Sequence, residues 1–431
     1  MADQTPSTDS AEAPALVETS RRSVLGLGAA LVGGAGVGVL ASQLTGLGAD
    51  TTGSGAPLGS GDSGAASSGA NGTDPAWARQ IEPFYGTHQS GVVTAPQAHA
   101  AFLAFNLVAD AGRDGLRRIL RLWTSDASRL QRGIPTLADP QPDLAGPPSR
   151  LTVTVGLGRG ALDKAGLLDR APVWLAPLPA FKVDRLEDRW SEGDVFLQVC
   201  AEDPIVLAHA VRSLIVSAKG IATIHWQQRG FRRPATSAST MRNLMGQVDG
   251  TVQPAETEFD SLLWIGDEGP DWLRGGTSVV VRRIRMTMDT WDELEPEAKE
   301  QVIGRRLTSG APLTGTKETD KTDLDATKAG LHVIPDFAHI RHAAPVAAKE
   351  KILRRPYNYD EAVTGAANAE CGMLFVCFQR DVMGQFVPIQ VRLAESDLLN
   401  VWTVPIGSAV FAVLPGAAEG QFLGQALVGE G

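Results

Sequence analysis

Cysteine is scarce in this 431-residue chain: there are three, Cys200, Cys371 and Cys377, each inside an apolar run. No CxxC and no Cys/His zinc spacing accompanies them, which argues against a disulfide scaffold or structural zinc and leaves buried free thiols as the expectation. Basic charge is also short, with 39 Lys and Arg against 49 Asp and Glu, a net charge of -10, and the cations scattered. The electrostatic footprint of a nucleic-acid binder is therefore missing. Aromatic residues make up only 6%, yet 43% of the chain is hydrophobic, enough for one large core or two moderate ones, and two domains are expected. Outside low-complexity sequence there is neither a GxSxG elbow nor an HExxH helix, so hydrolase chemistry lacks an anchor. Gly156-Leu157-Gly158-Arg159-Gly160 follows a strand-like stretch, but its glycine spacing is not GxGxxG, and it reads as a turn.

What is present begins with an address. Ser20-Arg21-Arg22-Ser23-Val24-Leu25 is a twin-arginine pattern, and the charge-free, Gly/Ala-rich stretch from Val24 to Ala41 follows. Its mild hydrophobicity fits the core of an export signal better than a permanent membrane helix. Residues 1–49 are read as the signal region and 50–74 as a Gly/Ser-rich linker, with folded structure beginning near Pro75. The implied partner is the twin-arginine translocase, and the implied location is the periplasm, cell envelope or exterior. That route carries prefolded proteins, which favours a bound cofactor without naming one.

Periodicity divides the folded part into 75–235 and 236–431. In the first, strands over Ala101–Val108, Leu151–Val155, Asp194–Ala201 and Ile221–Gln227 combine with a helix carrying Leu116, Ile119, Leu120 and Trp123 and another over Ile205–Val216. The order is β-α-β-β-α-β. The second predicts a strand over Ser278–Met288, a Trp291-containing helix to about Arg306, and strands Gly372–Phe378 and Phe386–Arg392. A short helix Leu398–Trp402 and a strand Ala409–Leu414 complete it. The expected class is α+β, two ferredoxin-like split β-α-β domains with antiparallel sheets.

Two segments carry candidate chemistry. In Asn243 to Thr251 (NLMGQVDGT), Gly246 and Gly250 bracket Asp249 in a tight turn that would hold one carboxylate at a fixed angle, although Asp-Gly alone is also an ordinary turn. His339 is one of seven histidines, and a histidine taken alone is more often a packed or surface side chain than a ligand. His332, His339 and His342 together fit no regular metal-binding helix or hairpin.

In this order, the Asn243–Thr251 stretch and the His339–Pro345 stretch (HIRHAAP) resemble the GxxDG signature and the proximal-histidine segment of dye-decolourising peroxidases, exported deferrochelatase/peroxidase branch. Similarity extends through Tyr85–Gly91, Gly193–Cys200, Trp272–Thr277, Gly372–Cys377 and Pro405–Gly407. The resemblance implies one haem b per chain, bound in the C-terminal domain, and hydrogen peroxide as oxidant of dyes and other organic electron donors. It makes His339 the axial iron ligand, Asp249 the distal aspartate and Arg354 the distal arginine. Because Pro356 replaces a usual glycine and the interval from His339 is short, Arg355 stays open as the alternative to Arg354.

The same resemblance implies a carboxylate behind His339, with Asp397 the candidate and Glu395 next. A plain helix-start acid is the alternative for Asp397. Arg341 is a candidate partner for a haem propionate, with a plain surface arginine as the alternative, and Gly246, Gly250, Thr251, Gly276 and Thr277 are candidate cofactor contacts. Tyr357, Tyr359 and Trp402 are candidate electron relays, with buried packing the plainer role for each. A homo-oligomer is expected. The alternative activity is deferrochelation, release of iron from haem with iron-uptake partners, and a non-catalytic haem-binding or delivery role comes third. Retention of both Asp249 and Arg354 speaks against that third role, since storage needs no peroxide machinery.

Overall fold

Strand β1 (His99–Leu107) is almost wholly buried because its two faces meet different cores. Ala100, Phe102 and Ala104 enter one apolar cluster, while Ala101, Leu103 and Phe105 enter another, as the two-residue period of a strand requires. The computed structural model describes residues 75–233, 240–362 and 370–429. The twin-arginine pattern, the apolar run after it and the linker lie outside the described residues.

In the N-terminal half β1 is followed by α1 (Gly112–Leu130), β2 (Thr152–Leu157), α2 (Arg159–Lys164), β3 (Val195–Ala201), α3 (Pro204–Ser217) and β4 (Ala222–Phe231). The strand order is β2-β3-β1-β4, all antiparallel, which is a split β-α-β unit. The C-terminal half has α4 (Phe259–Leu262), β5 (Thr277–Met286), α5 (Met288–Asp292) and α6 (Pro296–Ile303), then the ribbon β6 (Thr327–Lys328) and β7 (Leu331–His332). Helix α7 (His339–Ala343), β8 (Leu353–Arg354), β9 (Tyr357–Glu361), β10 (Glu370–Gln379), α8 (Val387–Ser396), β11 (Thr403–Val413) and α9 (Gln425–Val428) complete it. Its order, β9-β10-β5-β11, repeats the first, with β5 in the place of β1. The fold is thus α+β, with two ferredoxin-like sheets.

Short seams join the two sheets. Strand β11 pairs with β2 through Ala412 and Val413, and β4 pairs with β9 at Phe231. Because β10 also pairs with β5, the main strands close into a ring through these short seams. The ring encloses Phe102, Phe196, Phe411 and Tyr357, together with Arg283, whose guanidinium lies 4.3 Å from the Trp190 ring centre and 4.1 Å from that of Tyr359. Each large apolar side chain buried this way contributes about 1.5–3 kcal/mol, and the aromatic faces give the cation a favourable place.

Outside the ring, α1 and α3 cover the N-terminal sheet. Trp123 is fully buried between them, and its indole N–H donates to the Leu214 carbonyl at 2.9 Å. Helix α3 starts where the Asp203 carboxylate accepts from the Ile205 and Val206 amides, with Pro204 in the first turn, where no N–H is needed. The turn after β2 has a packing reason for its glycine: a Cβ on Gly158 would lie 2.1 Å from the Gly193 carbonyl oxygen. All three cysteines are buried and free.

Two expected elements differ. The helix carrying Trp291 does not continue to Arg306; α5 ends at Asp292 and α6 restarts at Pro296, whose ring and missing N–H suit a first turn and not a helix interior. The expected strand Phe386–Arg392 is a π-turn, Val382–Phe386, leading into α8. The alternation of Val387, Ile389 and Val391 is real but secondary. Phe386, Ile389 and Leu393 recur at helical spacing, Pro388 sits in the first turn of α8, and Val391 is left 40% exposed.

Candidate functional site

The Asp249 loop is closed by its own backbone. Asn243 N–H donates to Gln247 O at 3.0 Å and Asp249 N–H to Met241 O at 2.9 Å. The Asn243 side chain accepts from the Met245 and Gln247 amides. Gly246 (φ +85°) and Gly250 (φ +111°) take the positive angles that such a reversal needs. Arg242 ties the loop down by donating to the carbonyls of Gly246, Leu307 and Thr308.

Arg354 reaches this loop from β8. Its guanidinium donates to Asp249 Oδ1 at 3.1 Å and to Val252 O at 3.0 Å. Gln253 clamps its backbone from both sides, accepting from the Arg354 amide and donating to its carbonyl, each at 2.9 Å. Arg355 points the other way, as consecutive strand residues must. It is 2% exposed, with its terminal nitrogens on Thr94 O and Gln97 Oε1.

His339 opens α7, and its Nδ1 lies 2.6 Å from Asp397 Oδ2. The other Asp397 oxygen accepts from the Leu399 amide at 2.9 Å, so this acid both starts a helical turn and holds the imidazole. Burial disfavours a charged ring, but the Asp397 carboxylate outweighs it and holds His339 above the ordinary histidine range, with Asp249 adding to the effect. Nδ1 is occupied, so Nε2 is the nitrogen left for a ligand.

His339, Asp397, Asp249 and Arg354 all line one cavity of about 480 Å³, and every lining residue belongs to the C-terminal half. Its walls are largely apolar, with Ile284, Met286, Met373, Phe375, Phe386, Ile389 and Leu393 among them. Gly250 and Thr251 line it too. These features fit a haem: an apolar slot for the macrocycle, a histidine with one nitrogen free and its other held by a carboxylate, and cations for the propionates.

Other candidates lie elsewhere. Arg341 is not in the lining; it donates to the carbonyls of Pro335, Ile334 and Leu324 and fastens the segment before α7. Gly246 serves the loop reversal. Gly276 and Thr277 lie under β11, where a Cβ at Gly276 would be 2.4 Å from Val413 O and the Thr277 hydroxyl donates to Gln379 O at 3.2 Å. Glu395 is exposed. Tyr357, Tyr359 and Trp402 are all buried, so none is a surface relay. Residues that carried no motif also belong to the site. Besides Gln253 there is Arg305, a cation of the cavity wall that burial holds below its usual range, and Glu318, which accepts from the Thr240 and Thr251 hydroxyls.

The N-terminal model of the Dyp-type peroxidase family matches residues 89–232 and the C-terminal model residues 240–418. A dye-decolorizing peroxidase of Thermobifida fusca is 38% identical, over 95% of this chain and 97% of its own. A deferrochelatase of Yersinia pestis is 33% identical, over 82% and 86%. Among solved structures, a DyP-type peroxidase from Cellulomonas bogoriensis superposes with a TM-score of 0.81 at 51% identity, covering 83% of this chain and 100% of that one. Ferric DtpA from Streptomyces lividans gives 0.79 at 40%, covering 83% and 100%. The chain belongs to the Dyp-type peroxidase family. It is a haem peroxidase, an oxidoreductase.

Proposed function

We propose that His339 would hold the haem iron through its free ring nitrogen, that Asp249 carries the proton of the peroxide reaction, and that Arg354 stabilises the charge that develops in it. The convergence of His339–Asp397 and Asp249–Arg354 on one cavity carries this reading. Haem, when bound, supplies the redox chemistry that reduces peroxide and collects electrons from an organic donor. Asp397 accepts a hydrogen bond from the Nδ1–H of His339, orients the ring and makes it more electron-donating. Asp249, in its carboxylate form, takes a proton from one peroxide oxygen and returns it to the departing one. Arg354 stays cationic and, pinned by Asp249, Val252 and Gln253, needs little reorganisation to face the charge on that oxygen. Gly250, Thr251 and Arg305 stand where the cofactor would touch them.

His339→Ala, purified from a haem-replete host, is expected to lose most of its Soret absorbance. Unchanged haem content and spectrum would sink the ligand assignment. Export by the twin-arginine route to the periplasm, envelope or exterior rests on Arg21 and Arg22. Replacing both by Lys should leave folded, haem-loaded protein in the cytoplasm, and normal export would refute the route. The similarity to deferrochelatases supports the second reading, iron release in the service of iron uptake. Incubation with haem and a reductant separates the two: turnover to metal-free porphyrin favours iron release, whereas dye bleaching in peroxide with intact haem favours peroxidase work, which we expect. A homo-oligomer belongs to the same reading, and light scattering tests it.

A further inference from the structure

Behind the Asp249–Arg354 pair lies a second cavity of about 300 Å³. Asp249, Gly250, Gln253 and Arg354 line both cavities and form the wall between them. The second is one-sided in charge. Arg232, Arg233, Arg354 and Arg355 line it against a single carboxylate, Asp249, which is already paired with Arg354 at 3.1 Å.

Two of these cations are under-satisfied. Arg355 is 2% exposed, and although its terminal nitrogens are bound, its Nε–H has no hydrogen-bond partner among the described residues. The buried Nε–H of Arg232 is likewise without a partner, and its Nη1 makes a long contact of 3.4 Å to Pro356 O. Neither has a carboxylate at ion-pair distance among the described residues. Burial holds the Arg232 guanidinium below its usual range, and nearby Arg355 pushes the same way against the opposing pulls of Tyr357 and Asp249. Buried cations without a counter-ion are costly, and a guanidinium fork matches the geometry of an oxyanion.

We propose that this pocket binds an oxyanion of sulfonate, sulfate or carboxylate type, with Arg232 and Arg355 as its recognition groups. The site is built wholly of protein groups, so it goes beyond the peroxidase reading and stands without haem. Its occupant would lie against the wall that the proton-carrying pair helps form, on the side away from the first cavity. The chemistry is shared by two sources, a free inorganic ion and the anionic group of an organic molecule.

Calorimetric titration of the haem-free protein with sodium sulfate and with benzenesulfonate, at constant ionic strength, tests it. Saturable binding at one site per chain is expected. Arg232→Gln should weaken it about tenfold or more, while Arg232→Lys, which keeps the charge and guards against a folding artefact, should cost about threefold or less. Arg229→Gln, an exposed position on β4 outside the pocket, should change nothing. Tighter benzenesulfonate binding assigns the site to an organic anion, and tighter sulfate binding to a free ion. No saturable uptake of either anion, or parental affinity in Arg232→Gln, overturns the proposal. Haem plays no part in the titration, so its failure and a failure of the haem assignment are read separately.

Discussion

The two halves of the ring share a strand order but treat the space above their sheets differently. On the N-terminal sheet α1 buries ten of its residues and α3 six, and side chains fill the layer. On the C-terminal sheet α8, which stands in the same connection as α3, buries only Ile389 and Ala394, and α7 buries none. The 70-residue stretch 287–356 between β5 and β9 replaces the single helix that joins β1 to β2, and the layer holds a cavity where the other holds a core. A packed helix and a cofactor slot are thus alternative ways to cover the same sheet. The half that gives up packing gains chemistry.

The largest effect should come from breaking the packed half. Trp123→Ala is expected to cost about 3–5 kcal/mol in denaturant unfolding of the haem-free protein, because it empties a closed layer and leaves the Leu214 carbonyl without its donor. Leu393→Ala on the cavity side of α8 should cost about 1 kcal/mol or less, since that side chain borders open space. Equal losses at the two positions would show that both helices pack alike and would end the comparison.

The functional half should break at Arg354. Arg354→Leu is expected to slow the reaction with peroxide by about 10²- to 10³-fold in stopped-flow mixing, the scale of one preorganised donor. Asp249→Asn should slow it less, because water can relay a proton but no neutral group replaces a cation. A near-parental rate for Arg354→Leu would show that the wrong arginine, or the wrong mechanism, has been assigned.

Most of the strand framework could be read in the sequence, since β1 and β3 are long apolar runs and β5 opens on Val279, Val280 and Val281 before apolar and basic residues mix. Helix α8 was misread because Val387, Ile389 and Val391 alternate like a strand, and only the Pro388 position and the i, i+3, i+7 set of Phe386, Ile389 and Leu393 argue otherwise. At the site, Arg354 and Arg355 could not be separated from sequence, because neighbours on a strand face opposite ways and the pairing of Arg354 with Cys377 decides which way. Arg341, a propionate candidate only through the family resemblance, lies outside the cavity lining. Two residues along a helix is about 200° of rotation, so it faces away from the histidine. Gln253, Arg305 and Glu318 had no local signal, since each matters through a partner far along the chain.

A pH-dependent effect lies at the joint between the halves. Glu192 accepts with its carbonyl from the Trp226 indole on β4 at 2.7 Å and donates its amide to Ser408 on β11 at 3.0 Å, with φ +58°. Burial pushes its carboxyl up to about 7. A carboxyl whose pKa is raised on folding keeps its proton in the native state while the unfolded chain has lost it, so unfolding releases a proton between the ordinary glutamate range and about pH 7. Stability should therefore fall as pH rises through that window and level off above it. Glu192→Gln removes the titration while keeping the shape. Discounted for partial exposure, the variant should be more stable than the parent by about 1–2 kcal/mol at pH 8 and equal to it at pH 4. Denaturant midpoints at the two pH values decide this: a difference of the same size at both would mean that the side chain acts through packing and that no buried proton sits at the joint.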